Sequence, residues 1–223
     1  MGLDEVRAHL NVLEGSSPAL AHRARELLDR QLAERSSRAG RGEQLPPMRA
    51  AQFVEVDGAR GTAIKAAALE LAKSALRKAG VEAVFVVDEE LEGLDGAVDL
   101  AGLRKVYRDH FHARAFPEWT WLAIPEGVLY GRGWGALGKS AAMIAARDWA
   151  HLDGMASVRF QAHILLHELG HNFGLTHEPR DASYRHDNRT CVMATQLPPD
   201  PHEIPTEYCE GCRAHLSPLP ERY

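Results

Sequence analysis

Residues 158–174 read VRFQAHILLHELGHNFG, and Leu175, Thr176 and His177 follow. A helical stretch that is apolar on nearly every face belongs inside a protein. Into this one are set His167, Glu168 and His171. Positions i and i+4 lie about 40° apart around a helix and about 6 Å apart along it. Both imidazoles can therefore reach one zinc ion at the roughly 2.0–2.1 Å of a zinc–nitrogen bond. Glu168 points about a quarter-turn away, too far to be the obvious ligand but near enough to hold a water at the metal. Gly174 stands seven residues after His167, on the same face. A glycine can take a left-handed conformation and end the helix without a Cβ penalty. The chain can then turn back and deliver His177 as third ligand.

Chance would give His-Glu-x-x-His in about 5% of chains of this length and composition, and the pattern extended by Gly174 and His177 in roughly two or three in ten thousand. Buried core histidines would explain the short motif; the long one argues for a catalytic zinc. His163, one turn earlier on the same face, reads as a core or supporting residue rather than a ligand.

His167-Glu168-x-x-His171-x-x-Gly174-x-x-His177 resembles the zinc motif of the metzincin metallopeptidases. In that clan a tight turn carrying a methionine follows, packed beneath the metal. Met193, in Cys191-Val192-Met193, fits that position. The resemblance narrows to the archaemetzincins, which follow the motif with Cys-x4-Cys-x-Met and then Cys-x-x-Cys, four cysteines that bind a structural zinc. Cys191-x-Met193 and Cys209-Glu-Gly-Cys212 match. The family's first cysteine normally comes directly after the third histidine, where this chain has Glu178. His186 stands five residues before Cys191, where that cysteine would fall if spacing is counted backwards. The resemblance thus implies a Cys3His site of His186, Cys191, Cys209 and Cys212. A redox pair at Cys209 and Cys212 is the competing reading, and His202 or water is another candidate for fourth ligand. Astacin-type metzincins also carry Glu after the third histidine, but they are secreted and disulfide-bonded.

Upstream, residues 1–35 read as two short helices broken at Gly15-Ser16-Ser17-Pro18, and residues 36–47 have linker composition. The boundary expected there separates a helical extension with its linker, 1–47, from a metallopeptidase domain, 48–223. The extension is either packed on the domain as plain structure or a cap or pro-segment. Beyond it, strands are expected at Ala51–Val56, Val81–Val87, Trp119–Ile124, Val128–Leu137 and Ala141–Ala146. Helices are expected at Thr62–Ala79, with Thr62 as cap and Gly80 as stop, and at Leu100–Ala113. Val81–Val87 is nearly continuously apolar, a strand buried on both faces. The alternation predicts an α/β fold with a largely parallel sheet. The glycines of Val128–Leu137 suit an exposed edge strand. The resemblance implies more: a zincin fold with a twisted mixed sheet and helices in an upper subdomain, a long active-site helix, and a small irregular lower subdomain holding the structural zinc.

Composition agrees. The 223 residues are 45% hydrophobic and 26% charged, enough for one sizeable core and too ordered a mixture for wholesale disorder. A net charge of −5 gives no nucleic-acid surface. No apolar run approaches the ~20 residues of a membrane span. The first 30 residues lack the apolar stretch of a secretory signal. Histidine is abundant, at 12, and the 3 cysteines all lie between 191 and 212, a poor disulfide framework and a better metal site. The expectation is a cytoplasmic zinc peptidase with two Zn2+ per chain, acting on a peptide bound as an extended strand. Zinc-activated water attacks the peptide bond, with Glu168 as general base. The alternatives are a zinc-stabilised peptide-binding module without turnover, against which Glu168 argues, and a zinc hydrolase of non-peptide amides. Tyr184 and Tyr208 read as packing or surface residues rather than oxyanion donors.

Overall fold

The computed structural model describes residues 2–91, 96–129, 133–135, 140–177 and 190–216. Strands β1 (Ala50–Gly58), β2 (Val81–Glu90), β4 (Trp119–Ile124) and β7 (Ala141–Ile144) form a parallel sheet. A short strand, β6 (Gly133–Gly135), closes one edge antiparallel to β7, so the order is β2-β1-β4-β7-β6. Val54 sits between Phe85 of β2 and Thr120 of β4. Every residue from Ala50 to Asp57 is buried, as a central strand covered on both faces requires.

Side-chain alternation divides the molecule into two cores. Val54 and Val56 face helices α3 (Ala66–Lys78) and α5 (Gly154–Asn172). Ala51 and Phe53 face α1 (Leu3–Glu14), α2 (Pro18–Gly40) and α4 (Leu100–His110). Connectivity dictates this. The chain steps outward from β1 to β2 through α3 and returns to β4 through α4. Right-handed crossovers in opposite directions put their helices on opposite faces. The N-terminal helices therefore lie across the sheet from α5. Gln31 of α2 donates to the Ala83 carbonyl at 2.8 Å, and His9 of α1 lies 2.9 Å from the buried Glu118 carboxylate. None of the described helices is long and apolar enough to cross a membrane.

Several sequence expectations are corrected. Ser36 to Gly40 is not linker: α2 runs 23 residues, because an established helix extends at little cost and Ser36 Oγ donates to the Leu32 carbonyl at 3.0 Å. Thr62 is not a cap. Its hydroxyl lies 2.7 Å from the Ala59 carbonyl in a turn, and α3 starts at Ala66, with the Lys65 N–H donating to Gln161 Oε1 at 2.8 Å. The helix expected at 100–113 ends at His110; Asp99 caps it, accepting from the Gly102 N–H at 2.8 Å. Val128–Leu137 is not one strand. Gly127–Val128 (β5) pairs with Ala97–Val98 (β3) in a separate two-stranded sheet, and among the described residues of the segment Gly133–Gly135 reaches the main sheet. So glycine-rich a segment does not sustain one straight strand, and the chain changes sheets within it. β7 stops at Ile144, where the chain bends into a 3-10 turn, Ala146–Asp148. Residues 190–216 carry little regular structure beyond α6 (Glu210–His215).

Candidate metal centre

Helix α5 is buried along most of its length, and at its C-terminal end it carries His167, Glu168 and His171. It ends in a left-handed cap. Gly174 has φ +86°, its N–H donates to the His171 carbonyl at 3.0 Å, and the Leu175 N–H donates to the Gly170 carbonyl at 2.9 Å. This paired bonding reverses the chain direction within three residues. His177 comes back to the helix. Its Nε2 stands 2.9 Å from His167 Nε2 and 3.2 Å from His171 Nε2.

The tautomers follow from the partners. His167 Nδ1 faces the Val192 carbonyl at 2.7 Å, and His171 Nδ1 faces the Leu175 carbonyl at 2.9 Å. A carbonyl only accepts, so each Nδ1 carries the proton and each Nε2 presents a bare lone pair. Burial pushes His167 down to about 3, against the pull of the Val192 carbonyl, and lowers His171 as well. Both rings are neutral, the form that binds a metal. Nitrogens around a tetrahedral zinc lie about 3.3 Å apart when the bonds are 2.0–2.1 Å. The three-histidine group fits such an ion. Burial pushes the adjacent Glu168 carboxyl up to about 8.

The segment 190–216 supports α5 from below, along one helix face. Arg159 Nη2 donates to the Ile204 carbonyl at 2.6 Å, His163 Nδ1 to Pro205 at 2.8 Å, and the Tyr208 hydroxyl to Leu166 at 2.6 Å. Met193 is fully buried beneath Gly170; a Cβ on that glycine would stand 2.4 Å from Met193 Sδ. His163 thus supports the helix from its core side. Asn172 Nδ2 donates to the Ala141 carbonyl at 2.7 Å, tying the end of α5 to β7. The roles of Arg159, Asn172, Tyr208 and the Val192 carbonyl carry no motif. Only the one-face spacing of 159, 163 and 166 could have hinted at them.

Cys191, Cys209 and Cys212 form a second group, with their sulfurs within 4.8 Å of one another. The Cys191 and Cys212 sulfurs lie 3.4 Å apart, and the Cys209 N–H donates to Cys191 Sγ at 3.4 Å. The bond from Cys212 and the backbone donors draw Cys191 down to about 6, against the effect of burial. None of the three cysteines is in a disulfide. Three soft sulfur donors fit a structural zinc, whose tetrahedral shell takes one ligand more. His186, Glu178 and Tyr184 lie outside the described residues.

A third gathering was not anticipated from sequence. Glu55, Asp88 and His112 meet within 4.8 Å on the other side of the sheet. Glu55 accepts the backbone N–H groups of His112 and Ala113 at 3.1 and 3.3 Å, and Asp88 pairs with Arg23. These bonds tie α2 and the loop after α4 to the sheet.

Neither a family model nor a curated protein matches the sequence. Solved structures do share its fold. Archaemetzincin from Archaeoglobus fulgidus, solved with malonate, matches with a TM-score of 0.50 at 15% identity, over 74% of this chain and all of that one. Archaemetzincin from Methanopyrus kandleri matches with 0.50 at 16% identity, over 73% of this chain and 92% of that one. Metalloproteinase-II from Bacteroides fragilis matches with 0.54 at 12% identity, over 78% of this chain and 55% of that one. The mixed α/β fold, with its largely parallel sheet, is shared with these structures, as the resemblance implied.

Proposed function

We propose that this chain, folded like an archaemetzincin, is a zinc-dependent peptidase of the metzincin type. The observation that carries the reading is the meeting of three imidazoles beside a buried carboxyl. His167, His171 and His177 would hold the catalytic ion. When bound, zinc acidifies a water molecule and polarises the scissile carbonyl. Two of its ligands are already oriented, by the Val192 and Leu175 carbonyls. Glu168 is the proton carrier. A carboxyl poised near neutrality can take a proton from water and later pass it to the leaving amine, and a nearby dication would favour its charged form. β6 lies against α5 and, among the described residues, is the last strand at its edge of the sheet. An edge strand suits an extended peptide, the substrate form we propose.

Cys191, Cys209 and Cys212, with His186 as fourth ligand, would hold a second, structural zinc. A reducing, cytoplasmic setting is the one in which three such thiols stay available as ligands.

Digestion of a peptide library, read by mass spectrometry, tests the reading. Wild type should cleave. Glu168→Ala should lose at least 10²–10⁴-fold in rate, the scale of general-base losses, yet retain its catalytic zinc. A zinc-loaded wild type that cleaves nothing would turn the reading into a binding module. A variant that loses its zinc would make Glu168 a ligand.

A further inference from the structure

The two candidate centres are joined by very little chain. Cys191 is followed directly by Val192, whose carbonyl accepts the Nδ1 proton of His167 at 2.7 Å. The Val192 N–H donates in turn to the Glu207 carbonyl at 2.9 Å, and Glu207 stands two residues before Cys209. The Cys209 N–H then reaches back to Cys191 Sγ. One small bracket, made of 191–193 on one side and 207–209 on the other, thus carries the acceptor that orients a histidine. His171 is different: its acceptor, Leu175, belongs to the cap of α5 itself.

We infer that the cysteine centre is a positioning device for His167. Metal at Cys191, Cys209 and Cys212 clamps both sides of the bracket and fixes the Val192 carbonyl beneath the imidazole, so occupancy of one centre raises the affinity of the other. The inference rests on the metal ligands proposed above, but not on peptidase activity. Its size follows from the chemistry of such partners. Disturbing the group that orients a metal-bound histidine costs 10–100-fold in metal affinity. The coupling is reciprocal by thermodynamic necessity, so each centre must strengthen the other by the same factor.

The general loosening of a small segment is the rival explanation. The structure separates the two. Arg159, His163 and Tyr208 hold residues 204–208 against α5 independently of the cysteines. Ile204 is buried in the same segment but belongs to neither centre.

The test uses cobalt(II) in place of zinc in the full chain. Thiolate-to-cobalt charge transfer in the near ultraviolet reports the cysteine centre, and the paramagnetically shifted Nδ1–H proton resonances of the cobalt-bound imidazoles report the histidine centre. Affinities are measured by competition with a chelator in wild type, Cys209→Ser, Ile204→Ala and His171→Ala. The expected result is that Cys209→Ser weakens the histidine centre by roughly ten-fold. Ile204→Ala should leave it near wild type. His171→Ala, which touches no member of the cysteine group by sequence or ligand set, should weaken the cysteine centre by a similar factor, and this arm decides the matter if Cys209→Ser does not fold. The inference is overturned by a wild type without the charge-transfer band, by centres that bind independently, or by an equal loss in Ile204→Ala. None of these outcomes bears on whether the protein cleaves peptides, so a failure here is distinct from a failure of the peptidase reading.

Discussion

A methyl group at position 170 has nowhere to go. It would arrive 2.4 Å from Met193 Sδ and 3.3 Å from the Tyr208 ring. Gly170→Ala should destabilise the protein by about 1–3 kcal/mol, the usual range for overpacking a tight core. Adding Met193→Ala should recover part of that loss, since the two sites share one space. Thermal melts of the single and double variants check this; additive losses would mean that Met193 can move aside. Single residues also show where the sequence could be read. His167, His171 and His177 were legible because a helix period and a turn glycine convert spacing directly into direction. The orientation of those rings was not. It comes from the carbonyls of Val192 and Leu175, and a peptide carbonyl has the same chemistry behind every side chain.

At the scale of elements, α5 was legible for its length and apolarity, and β2 for its run of valines. The misread elements have a common cause. Ser36 to Gly40 looked like linker because composition cannot register the helical turns from Pro18 onward that precede it. Val128–Leu137 looked like one strand because nothing local says which sheet a short glycine-rich segment joins. The element with most at stake is the segment 190–216. It buries Cys191, Val192, Met193, Tyr208 and Cys212, yet has little regular structure to hold it. Binding energy at a structural zinc is folding energy. Elemental analysis should find two zinc ions per chain in wild type, and closer to one in Cys209→Ser and His186→Ala. Hydrogen exchange in the variants should rise over 190–216 and leave β1 protected. A wild type with one zinc would remove the second centre, and an unchanged count in His186→Ala would remove that histidine from it.

Across the whole molecule, the sheet separates two bodies of apolar side chains. One holds α3, α5 and the metal ligands' support, and the other holds α1, α2 and α4. The N-terminal helices complete the second core with Leu10, Leu13, Leu20 and Leu28, all buried. We therefore propose that residues 1–40 act on stability rather than on access to the zinc. Leu28→Ala should cost about 2–5 kcal/mol, as truncation of a buried leucine does. Its Michaelis constant for a cleaved peptide should not change. Denaturant melts and steady-state kinetics on one preparation measure both, and a variant with raised activity would identify the extension as a latch. Sequence alone could not choose between these readings, because the apolar spacing of α2 shows that it packs but not on which face of the sheet.

The bonds that run from α5 to the segment beneath it end on main-chain oxygens: Leu166 on the helix, and Val192, Ile204 and Pro205 below. A substitution cannot delete a carbonyl. The segment can therefore drift through many side chains and still present the same acceptors, so long as its path and length are kept. Its vulnerability lies in indels rather than in point changes. Removing one residue between Met193 and Ile204 would pull the acceptors out of step with Arg159 and His163 together. Most single replacements in that stretch would leave both in place.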